Sequence, residues 1–452
     1  MCGKICIVLL KGKSMKIKSL TLSNYRNYKN ADIQFGSKTT VIIGKNGMGK
    51  TNLVAALKQA LSFIFSKKKD NPYFEFIASS DQRVKSFTPL DARYGLNNLG
   101  MNDYNYPVSV SGRIKFCDGE DLSWEFYKHT ASDSMDDRYG MESVRFWEHH
   151  KDFNNLPVIA FFSDSYPHVK TNIGKNVQAK LDSGFDLPKN IAYYKWDEEK
   201  NCTGIWMQYY LMQYKNSKFS DDKSVKFGTR KYVKSINETL IRFSESLPES
   251  YAENDIALKS IEVEARGKED VMMFQFQNGM RIAFDQLPQG YKRIFSIVFD
   301  IASRSYFLNG NCDPQGVVMI DEIELHLHPS LAQEILQRLE ATFRDVQFVV
   351  TTHSPLVLSS YKQDSRNLLY KLVKNEDGNS FLQLDSQYGI DYTTLVHSTM
   401  ETPERNEYIQ KLVRAYRYWM DVEDKERGEV VAQKIKQEAG ENSRVYQELK
   451  RK

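Results

Sequence analysis

The hydrophobic pattern of residues 38–57 changes its period at a glycine-rich turn. The run KTTVII is rich in β-branched residues, the turn GKNGMGKT follows, and apolar residues then recur at Leu53, Ala56 and Leu57. The β-branched run predicts a buried strand, and the spacing after the turn predicts an amphipathic helix. This segment is therefore predicted to be a strand, a loop and a helix in direct succession.

Two further apolar runs predict buried parallel strands. GVVMI follows a Pro-Gln-Gly turn and ends before Asp321, and QFVVTTHSP carries His353 at its end. The residues between these runs have apolar positions at helical spacing, namely Leu331, Ile335, Leu336 and Leu339. Apolar strands that alternate with helices are typical of parallel sheets, so the chain is predicted to have an α/β fold.

Alternating polar and apolar positions predict antiparallel strands in two other places. YPVSVSGRIKF and LSWEFY alternate on either side of CDGED, as in a β-hairpin. KSIEVEA, VMMFQFQ and MRIAF form a second set, with an Asn-Gly turn between the last two runs. These sets are predicted to form an antiparallel lobe and a sheet that leads toward residue 287.

Two segments have mainly helical spacing. Residues 170–255 contain many aromatic residues, and these are more often core than nucleic-acid stacking platforms because no continuous basic run accompanies them. This insertion is predicted to be a lid or a dimer arm. Residues 363–452 are predicted to be a helical segment whose apolar faces either pack on each other or bind a second subunit. Those faces contain Ile409, Leu412, Val413, Tyr416 and Met420, and Val431 and Ile435.

Length and composition narrow the class of protein only in part. The 452 residues allow several structural units, and a net charge of +4 is too small to indicate a nucleic-acid or membrane partner. The five cysteines show no C-x-x-C spacing, which fits a reducing, cytoplasmic environment. The run ICIVLL is far shorter than the roughly 20 residues that span a bilayer. The predicted units are a disordered leader at 1–14, two halves of one α/β unit at 15–169 and 256–362, the insertion at 170–255 and the tail at 363–452.

The glycine-rich turn matches G-x-x-x-x-G-K-[ST], the pattern of a phosphate-binding loop. Its glycines let backbone N–H groups converge on a phosphate at a helix N-terminus, while the lysine reaches the β and γ phosphates of ATP. The threonine hydroxyl is a Mg²⁺ ligand in such loops. The predicted nucleotide-binding residues are Gly44, Lys45, Asn46, Gly47, Met48, Gly49, Lys50, Thr51 and Asn52.

The two later strands end in residues that suit hydrolysis. Asp321 is predicted to hold Mg²⁺ together with Thr51, and Glu322 is predicted to be the general base for the attacking water. A lone histidine is more often structural, but His353 ends the strand after Asp321 and could face the same γ phosphate. The alternative for MIDEIELHLHPS, a zinc site, is less favoured because Mg²⁺ and ATP already explain its first carboxylates.

These motifs resemble the ABC-type ATPase heads of the RecF, SMC and OLD group. LSNYRNYKN before GKNGMGKTNL resembles the N-terminal motifs of RecF, and DEIELHLHP before TTHSP resembles the last ATPase motifs of the OLD proteins. The resemblance implies an ABC-type P-loop ATPase head with an antiparallel β lobe, a helical insertion and a C-terminal helical segment. It also implies a head-to-head dimer, in which a signature motif and a D-loop contact the partner's nucleotide site.

The signature candidate is Leu287-Pro288-Gln289-Gly290-Tyr291, which precedes an apolar helix. A simple Pro-Gly turn is the alternative interpretation. Pro288 stands where the family usually has a serine, so the hydroxyl that would contact the γ phosphate is missing, and we expect slow hydrolysis. The D-loop candidates, predicted to contact a partner protomer, are Glu324, His326 and His328. Tyr25, Tyr28 and Gln82 are candidates for the adenine-facing residue and the Q-loop.

From Met15 onward the chain is similar to the ATPase subunits of Septu anti-phage systems, which also accompany some retrons. This resemblance implies a bacterial protein, a homodimer or higher oligomer, an HNH nuclease partner of the PtuB type, and in some systems a retron reverse transcriptase with its nucleic acid. No nuclease centre is expected in this chain, since no D-x-D pair follows His353. The alternatives are a RecF-like ATPase that clamps DNA and a nucleotide-sensing scaffold that does not hydrolyse ATP.

Overall fold

The structure is a computed structural model whose described residues begin at Met15. The predicted leader, residues 1–14, and Cys2, Cys6, Cys117 and Cys202 lie outside them. The described residues are 15–67, 73–78, 82–96, 100–116, 118–152, 154–163, 178–179, 187–198, 203–245, 247, 256–267, 269–375, 378–401 and 406–450.

The strands and helices of these residues are numbered in chain order. The strands are β1 (Met15–Tyr25), β2 (Tyr28–Gln34), β3 (Thr39–Ile43), β4 (Arg93–Leu96), β5 (Asn102–Asn105), β6 (Val108–Phe116), β7 (Asp121–Lys128), β8 (Asp136–Arg138), β9 (Val158–Phe162), β10 (Leu258–Arg266), β11 (Glu269–Phe276), β12 (Arg281–Ala283), β13 (Gln315–Ile320), β14 (Asp345–Thr352), β15 (Asn367–Asn375) and β16 (Gly378–Leu384). The helices are α1 (Lys50–Leu61), α2 (Phe74–Ala78), α3 (Gly140–His149), α4 (Thr203–Phe219), α5 (Lys223–Ser244), α6 (Gln289–Asn309), α7 (Pro329–Thr342), α8 (Pro355–Ser360), α9 (Tyr392–Thr394), α10 (Glu407–Asp421), α11 (Lys425–Ala439) and α12 (Arg444–Lys450).

A mostly parallel sheet forms the centre, with the strand order β16-β15-β3-β14-β13-β9. Every residue of β3, β9 and β13 is buried, which is why these strands read as continuous apolar runs. In the register of the sheet, Ile43 pairs with Thr352 and Ile320 pairs with Val350. The phosphate loop, Asp321 and His353 therefore leave the sheet at one edge, as the sequence predicts.

An antiparallel lobe lies beside this sheet and is attached to the first helix. Its strand order is β2-β1-β6-β7-β8, and it contains the hairpin predicted from YPVSVSGRIKF and LSWEFY. Trp124 on β7 packs over Gly112, where an added Cβ would lie 2.5 Å from the indole. The same indole donates a hydrogen bond to the Ala60 carbonyl of α1 at 2.8 Å. The lobe thus anchors the helix that follows the phosphate loop.

The second predicted strand set forms a separate sheet, β10-β11-β12, which leads into α6. In the insertion, α4 and α5 bury the aromatic side chains that the sequence assigned to the core: Trp206 and Tyr210 are 0% exposed and Tyr232 is 2% exposed. Trp206 also donates to the Asp300 carboxylate of α6 at 2.8 Å. The core interpretation of these aromatic residues is therefore correct.

The tail differs from the prediction in its first part. Residues 363–388 are not helical throughout, because β15 and β16 add two strands to the central sheet. The contacts divide the chain into one unit that ends at Tyr388 and a second that begins at Gly389. The second unit has its own small core, formed by Val413, Ala432, Ile435, Tyr446 and Leu449. Its predicted apolar faces thus pack on each other.

No helix within the described ranges combines the length and the apolar character that crossing a membrane would need.

Candidate nucleotide-binding site

The phosphate loop joins β3 to α1 through two glycines that adopt left-handed backbone angles. Gly47 has φ 78° and Gly49 has φ 99°, a region that other residues rarely occupy. An added Cβ on Gly49 would also lie 2.0 Å from the Asn27 amide nitrogen. Gly49 is the N-cap of α1 and carries no capping side chain, so the first N–H groups of this 12-residue helix are available to an anion.

Lys50 lies at the start of α1 with only 6% of its surface exposed. Its ammonium donates to the Gly44 carbonyl at 2.8 Å and is 3.4 Å from the Lys45 carbonyl. Burial lowers the pKa of Lys50, and nearby carboxylates, first among them Asp321, oppose this change. The cation is thus held inside the loop that would enclose a phosphate.

Thr51 and Asp321 come together as the sequence predicts for Mg²⁺ ligands. The Thr51 hydroxyl donates to the Asp321 carboxylate at 3.0 Å, and Thr351 donates to the other oxygen of the same carboxylate. One hydroxyl and one carboxylate suit Mg²⁺, which takes few protein ligands and keeps waters and phosphate oxygens. In the described part of the chain no group of three or more His, Cys, Asp or Glu residues is placed to hold a metal ion. The donor set therefore fits Mg²⁺ better than zinc.

Glu322 adopts a left-handed backbone conformation, with φ 48°. This conformation costs a non-glycine residue roughly 1–2 kcal/mol, so its surroundings must hold it. The Glu322 N–H donates to the Thr351 hydroxyl at 2.9 Å, and the Ile323 N–H donates to the Thr351 carbonyl at 3.1 Å. The turn after β13 is thereby fixed to β14, and the Glu322 side chain lines the cleft.

His353 stands opposite Glu322, with its Nε2 4.0 Å from a Glu322 carboxylate oxygen. Burial lowers the pKa of His353 and the Lys50 ammonium lowers it further, whereas the Glu324 and Asp321 carboxylates act in the opposite direction. The ring is therefore neutral at pH 7 and can donate one hydrogen bond and accept another.

Glu324 has a different position from the one expected of a D-loop contact. Its carboxylate accepts hydrogen bonds from the Thr352 hydroxyl and from the His353 N–H, both at 2.7 Å. Glu324 therefore fixes the end of β14 within its own chain, where the sequence analysis expected a contact with a partner.

The other D-loop candidates lie near the signature candidate. His326 is exposed, and a Cβ added to Gly290 would lie 2.4 Å from the His326 carbonyl oxygen. His328 is also exposed, and its ring contacts the Ser330 hydroxyl at 2.9 Å at the start of α7. Gly290 thus makes a close backbone contact that any side chain would prevent.

The signature candidate begins the 21-residue helix α6, as a signature motif requires. Pro288 is its N-cap, Pro288 and Gln289 are exposed, and Gly290 is buried against the D-loop. None of these three residues lines the cleft that contains the phosphate loop. The signature candidate consequently does not contribute to the cleft of its own chain.

Arg293 was not predicted from the sequence, although it contacts the turn that carries Asp321 and Glu322. It lies two residues after the signature candidate and is 0% exposed. Its guanidinium donates to the carbonyls of Ser163 at 2.9 Å, Asp321 at 2.8 Å and Glu322 at 3.2 Å. An arginine within an apolar helical face is a detectable signal, since arginine is rarely fully buried unless it is paired.

Thr351 was also missed, because a hydroxyl within an apolar strand carries little signal on its own.

Two of the candidates for the adenine-facing residue do not fit, since Tyr25 and Tyr28 are 1% and 0% exposed. Gln82 is half-buried and is not among the residues that line the cleft. The cleft has a volume of about 320 Å³. It is lined by Asn46, Gly47, Gly49, Lys50, Thr51, Asn52, Asp321, Glu322 and His353.

A phosphate loop, an adjoining carboxylate pair and a buried parallel sheet define the class of P-loop ATPases. Comparison with known proteins gives the family. The family described as an AAA ATPase domain matches residues 15–226 and 197–358, which is more than half of the chain. The chain belongs to this AAA ATPase domain family.

Individual relatives extend the comparison. The chain is 24% identical to the retron Ec83 probable ATPase of Escherichia coli over 456 residues, which is 90% of this chain and 80% of that protein. It is 34% identical to the Septu protein PtuA of Bacillus mycoides (strain KBAB4) over 116 residues, 25% and 16% of the two chains. A solved structure of the recombination mediator protein RecF is 15% identical and covers 83% of this chain and 99% of its own, with a TM-score of 0.40.

The chain is therefore an ATPase with an α/β fold, and a nucleotide is its ligand.

Proposed function

We propose that this chain is the ATP-hydrolysing subunit of a bacterial anti-phage defence complex, in which paired copies control a partner HNH nuclease. The observation that carries the ATPase part is the convergence of Lys50, Thr51, Asp321, Glu322 and His353 on one cleft. The similarity to a retron ATPase and to a Septu protein supports the defence part.

Both the backbone N–H groups and the side chains of the cleft would bind the nucleotide. The N–H groups of the loop and of the first turn of α1 would receive the β and γ phosphates, with Lys50 alongside. Thr51 and Asp321 would hold Mg²⁺, which supplies charge neutralisation between the phosphates when it is bound. Asn52 and Asn46 also line the cleft.

The chemistry requires a base, and Glu322 is the residue we assign. Its carboxylate is 36% exposed at the cleft, where it can accept a proton from a water on the γ-phosphate side. His353 is neutral, so its ring can donate a hydrogen bond to the same water or to a phosphate oxygen. Arg293 and Thr351 act as positioning residues, because they hold the backbone from which Glu322 projects.

We further propose that hydrolysis depends on a second copy of this chain. The close packing of Gly290 on the His326 backbone makes one surface of the signature and the D-loop, and both Gln289 and His326 are exposed there. A partner's nucleotide is a suitable ligand for this surface, since the N-terminus of α6 attracts anions. Pro288 offers neither a hydroxyl nor an N–H, so turnover is expected to be slow.

The partner part of the proposal rests on the Septu and retron relatives. The expected partners are a PtuB-like HNH nuclease and, in a retron, the reverse transcriptase with its nucleic acid. The decisive experiment is to express the chain with its genomic neighbours, purify the complex and measure nuclease activity with ATP, ADP and no nucleotide. We expect cleavage to differ by at least about tenfold between nucleotide states. Equal cleavage in all three states would contradict nucleotide control.

The same preparations distinguish the alternatives. A RecF-like clamp predicts that the isolated chain binds duplex DNA only with ATP, with an affinity that falls steeply as salt rises. A scaffold that does not hydrolyse ATP predicts that Glu322→Gln leaves the nuclease response unchanged. Co-purification of a nuclease, together with a response that Glu322→Gln alters, would exclude both.

A further inference from the structure

One carbonyl of the phosphate loop accepts hydrogen bonds from two side-chain amides that lie far apart in the sequence. The Met48 carbonyl oxygen accepts a hydrogen bond from the Asn27 amide at 2.9 Å and another from the Asn379 amide. Asn27 lies in the turn between β1 and β2, whereas Asn379 lies on β16, at the edge of the central sheet. Two separate sheets thus hold the same atom of the loop.

The next carbonyl of the loop is held in a similar way. The Tyr28 hydroxyl donates to the Gly49 carbonyl at 2.9 Å, and the Leu53 N–H donates to the same oxygen at 3.0 Å. Tyr28 is 0% exposed and its ring stacks on Phe381 with 5.6 Å between the centroids. The hydroxyl is therefore fixed by packing on β16 as well as by its hydrogen bond.

These contacts have a consequence for the N–H groups of the loop. In a planar trans peptide, the carbonyl and the following N–H point in opposite directions. Holding the Met48 carbonyl toward Asn27 and Asn379 therefore turns the Gly49 N–H to the opposite side. Holding the Gly49 carbonyl toward Tyr28 does the same for the Lys50 N–H. Convergent N–H groups of this kind are what a phosphate-binding loop provides.

A chain of hydrogen bonds fixes the Asn27 amide in its orientation. The Arg26 guanidinium is paired with Asp91 at 2.8 Å and donates to the Asn52 side-chain oxygen at 3.0 Å. The Asn52 amide then donates to the Asn27 side-chain oxygen at 2.9 Å, which leaves the Asn27 amide nitrogen to face Met48. Because each acceptor in this chain receives a donor, the amide of Asn27 cannot rotate without breaking a bond.

We propose that Asn27, Tyr28 and Asn379, here called the brace, hold the phosphate loop in its anion-binding conformation before a nucleotide arrives. These residues lie outside the phosphate-loop motif and are positioning residues that act through the Met48 and Gly49 peptides. The proposal rests on nucleotide binding at this loop. It adds that β16, at the far end of the ATPase unit, sets the affinity of that loop.

The test combines hydrogen exchange of the nucleotide-free protein with ATP binding. Asn379→Leu removes the amide at similar size, and Asn379→Asp keeps the shape but replaces the donor with an acceptor. Asn375→Leu is the matched control, because Asn375 lies on the same hairpin and its amide donates to Ser380 instead of the loop. We expect both Asn379 variants to speed amide exchange in residues 44–52 and to weaken ATP binding about tenfold, with the control unchanged.

A double variant tests whether the Asn27 and Asn379 amides both hold the Met48 carbonyl. Asn27→Leu with Asn379→Leu should weaken ATP binding by more than the product of the two single effects, because each amide alone still holds the Met48 carbonyl. Exchange and affinity equal to those of Asn375→Leu would overturn the brace. Lys50→Ala separates the two proposals: if it leaves ATP binding intact, the nucleotide site is wrong, while the exchange data still decide whether the brace orders the loop.

Discussion

The nucleotide cleft and the surface formed by the signature and D-loop candidates differ in the hydrogen-bond partners of their side chains. At the cleft, the Thr51 and Thr351 hydroxyls both donate hydrogen bonds to the Asp321 carboxylate, and the Glu324 carboxylate accepts one from the His353 N–H at the end of β14. On the other surface the exposed residues Gln289 and His326 project from a tight backbone contact. One region is thus organised within a single chain, and we propose that the other contacts a second chain.

From this difference we infer that ATP binding and ATP hydrolysis have separate requirements: binding would need one chain, and hydrolysis would need two. The hydroxyls beside Asp321 are already hydrogen-bonded within one chain, so we expect ATP to bind to one chain without a large rearrangement. In the proposed dimer, the signature surface would gain its ligand only when two chains meet. Arg293 joins the two regions, because it lies on α6 after the signature and donates to the carbonyls of Asp321 and Glu322.

Removal of the base is expected to have the largest effect. Glu322→Gln keeps the size of the side chain but cannot accept a proton, so hydrolysis should fall about 100-fold or more while ATP still binds. Phosphate release and ATP affinity are the two measurements. Glu334→Gln, on α7 and outside the cleft-lining set, is the control. If Glu322→Gln retained normal turnover, the general base would have to be another residue, and the role assigned to this cleft in hydrolysis would be wrong.

Loss of the link between the two regions should have the next largest effect. Arg293→Met leaves the Asp321 and Glu322 carbonyls without this donor, at a cost of about 2 kcal/mol, so turnover should fall about 30-fold with little change in ATP affinity. Lys292→Met, the exposed-side neighbour on the same helix, is the control. An equal loss of affinity and turnover would show a general disruption of the cleft instead.

Restoring a hydroxyl to the signature should produce a moderate gain. Pro288→Ser supplies a donor for a phosphate of the partner's nucleotide, and a hydrogen bond to a charged group contributes roughly 1.5–3 kcal/mol, so turnover should rise about tenfold. The rise should appear only at protein concentrations at which dimers form. Unchanged turnover at every concentration would argue against a signature that acts on a partner.

The D-loop histidines should have the smallest effect. His326→Ala removes an exposed side chain and is expected to weaken ATP-dependent dimerisation a few-fold. The dimer fraction is measured by analytical ultracentrifugation with and without ATP. His328→Ala should act less, because its ring already contacts Ser330. Dimerisation that is unaffected by either change would confine the interface to the signature.

The parts of the site predicted from the sequence are those encoded by neighbouring residues. The phosphate loop, Asp321, Glu322 and His353 each follow an apolar strand, and parallel strands bring their ends to one edge. Arg293, Thr351 and Asn379 were not predicted, because their partners lie far away in sequence. The strands β15 and β16 were assigned to helices, since short apolar runs such as LLYKLV fit both periods.

The sequence by itself determined the class of this protein, because strand, glycine loop and carboxylate pair are local patterns with a local chemical meaning. Only the tertiary structure decided that Glu324 contacts its own chain, that Arg293 joins α6 to the Glu322 carbonyl, and that Asn27 and Asn379 donate to one carbonyl. The physical reason is that a hydrogen bond needs about 3 Å between atoms, and chain packing alone sets that separation for distant residues.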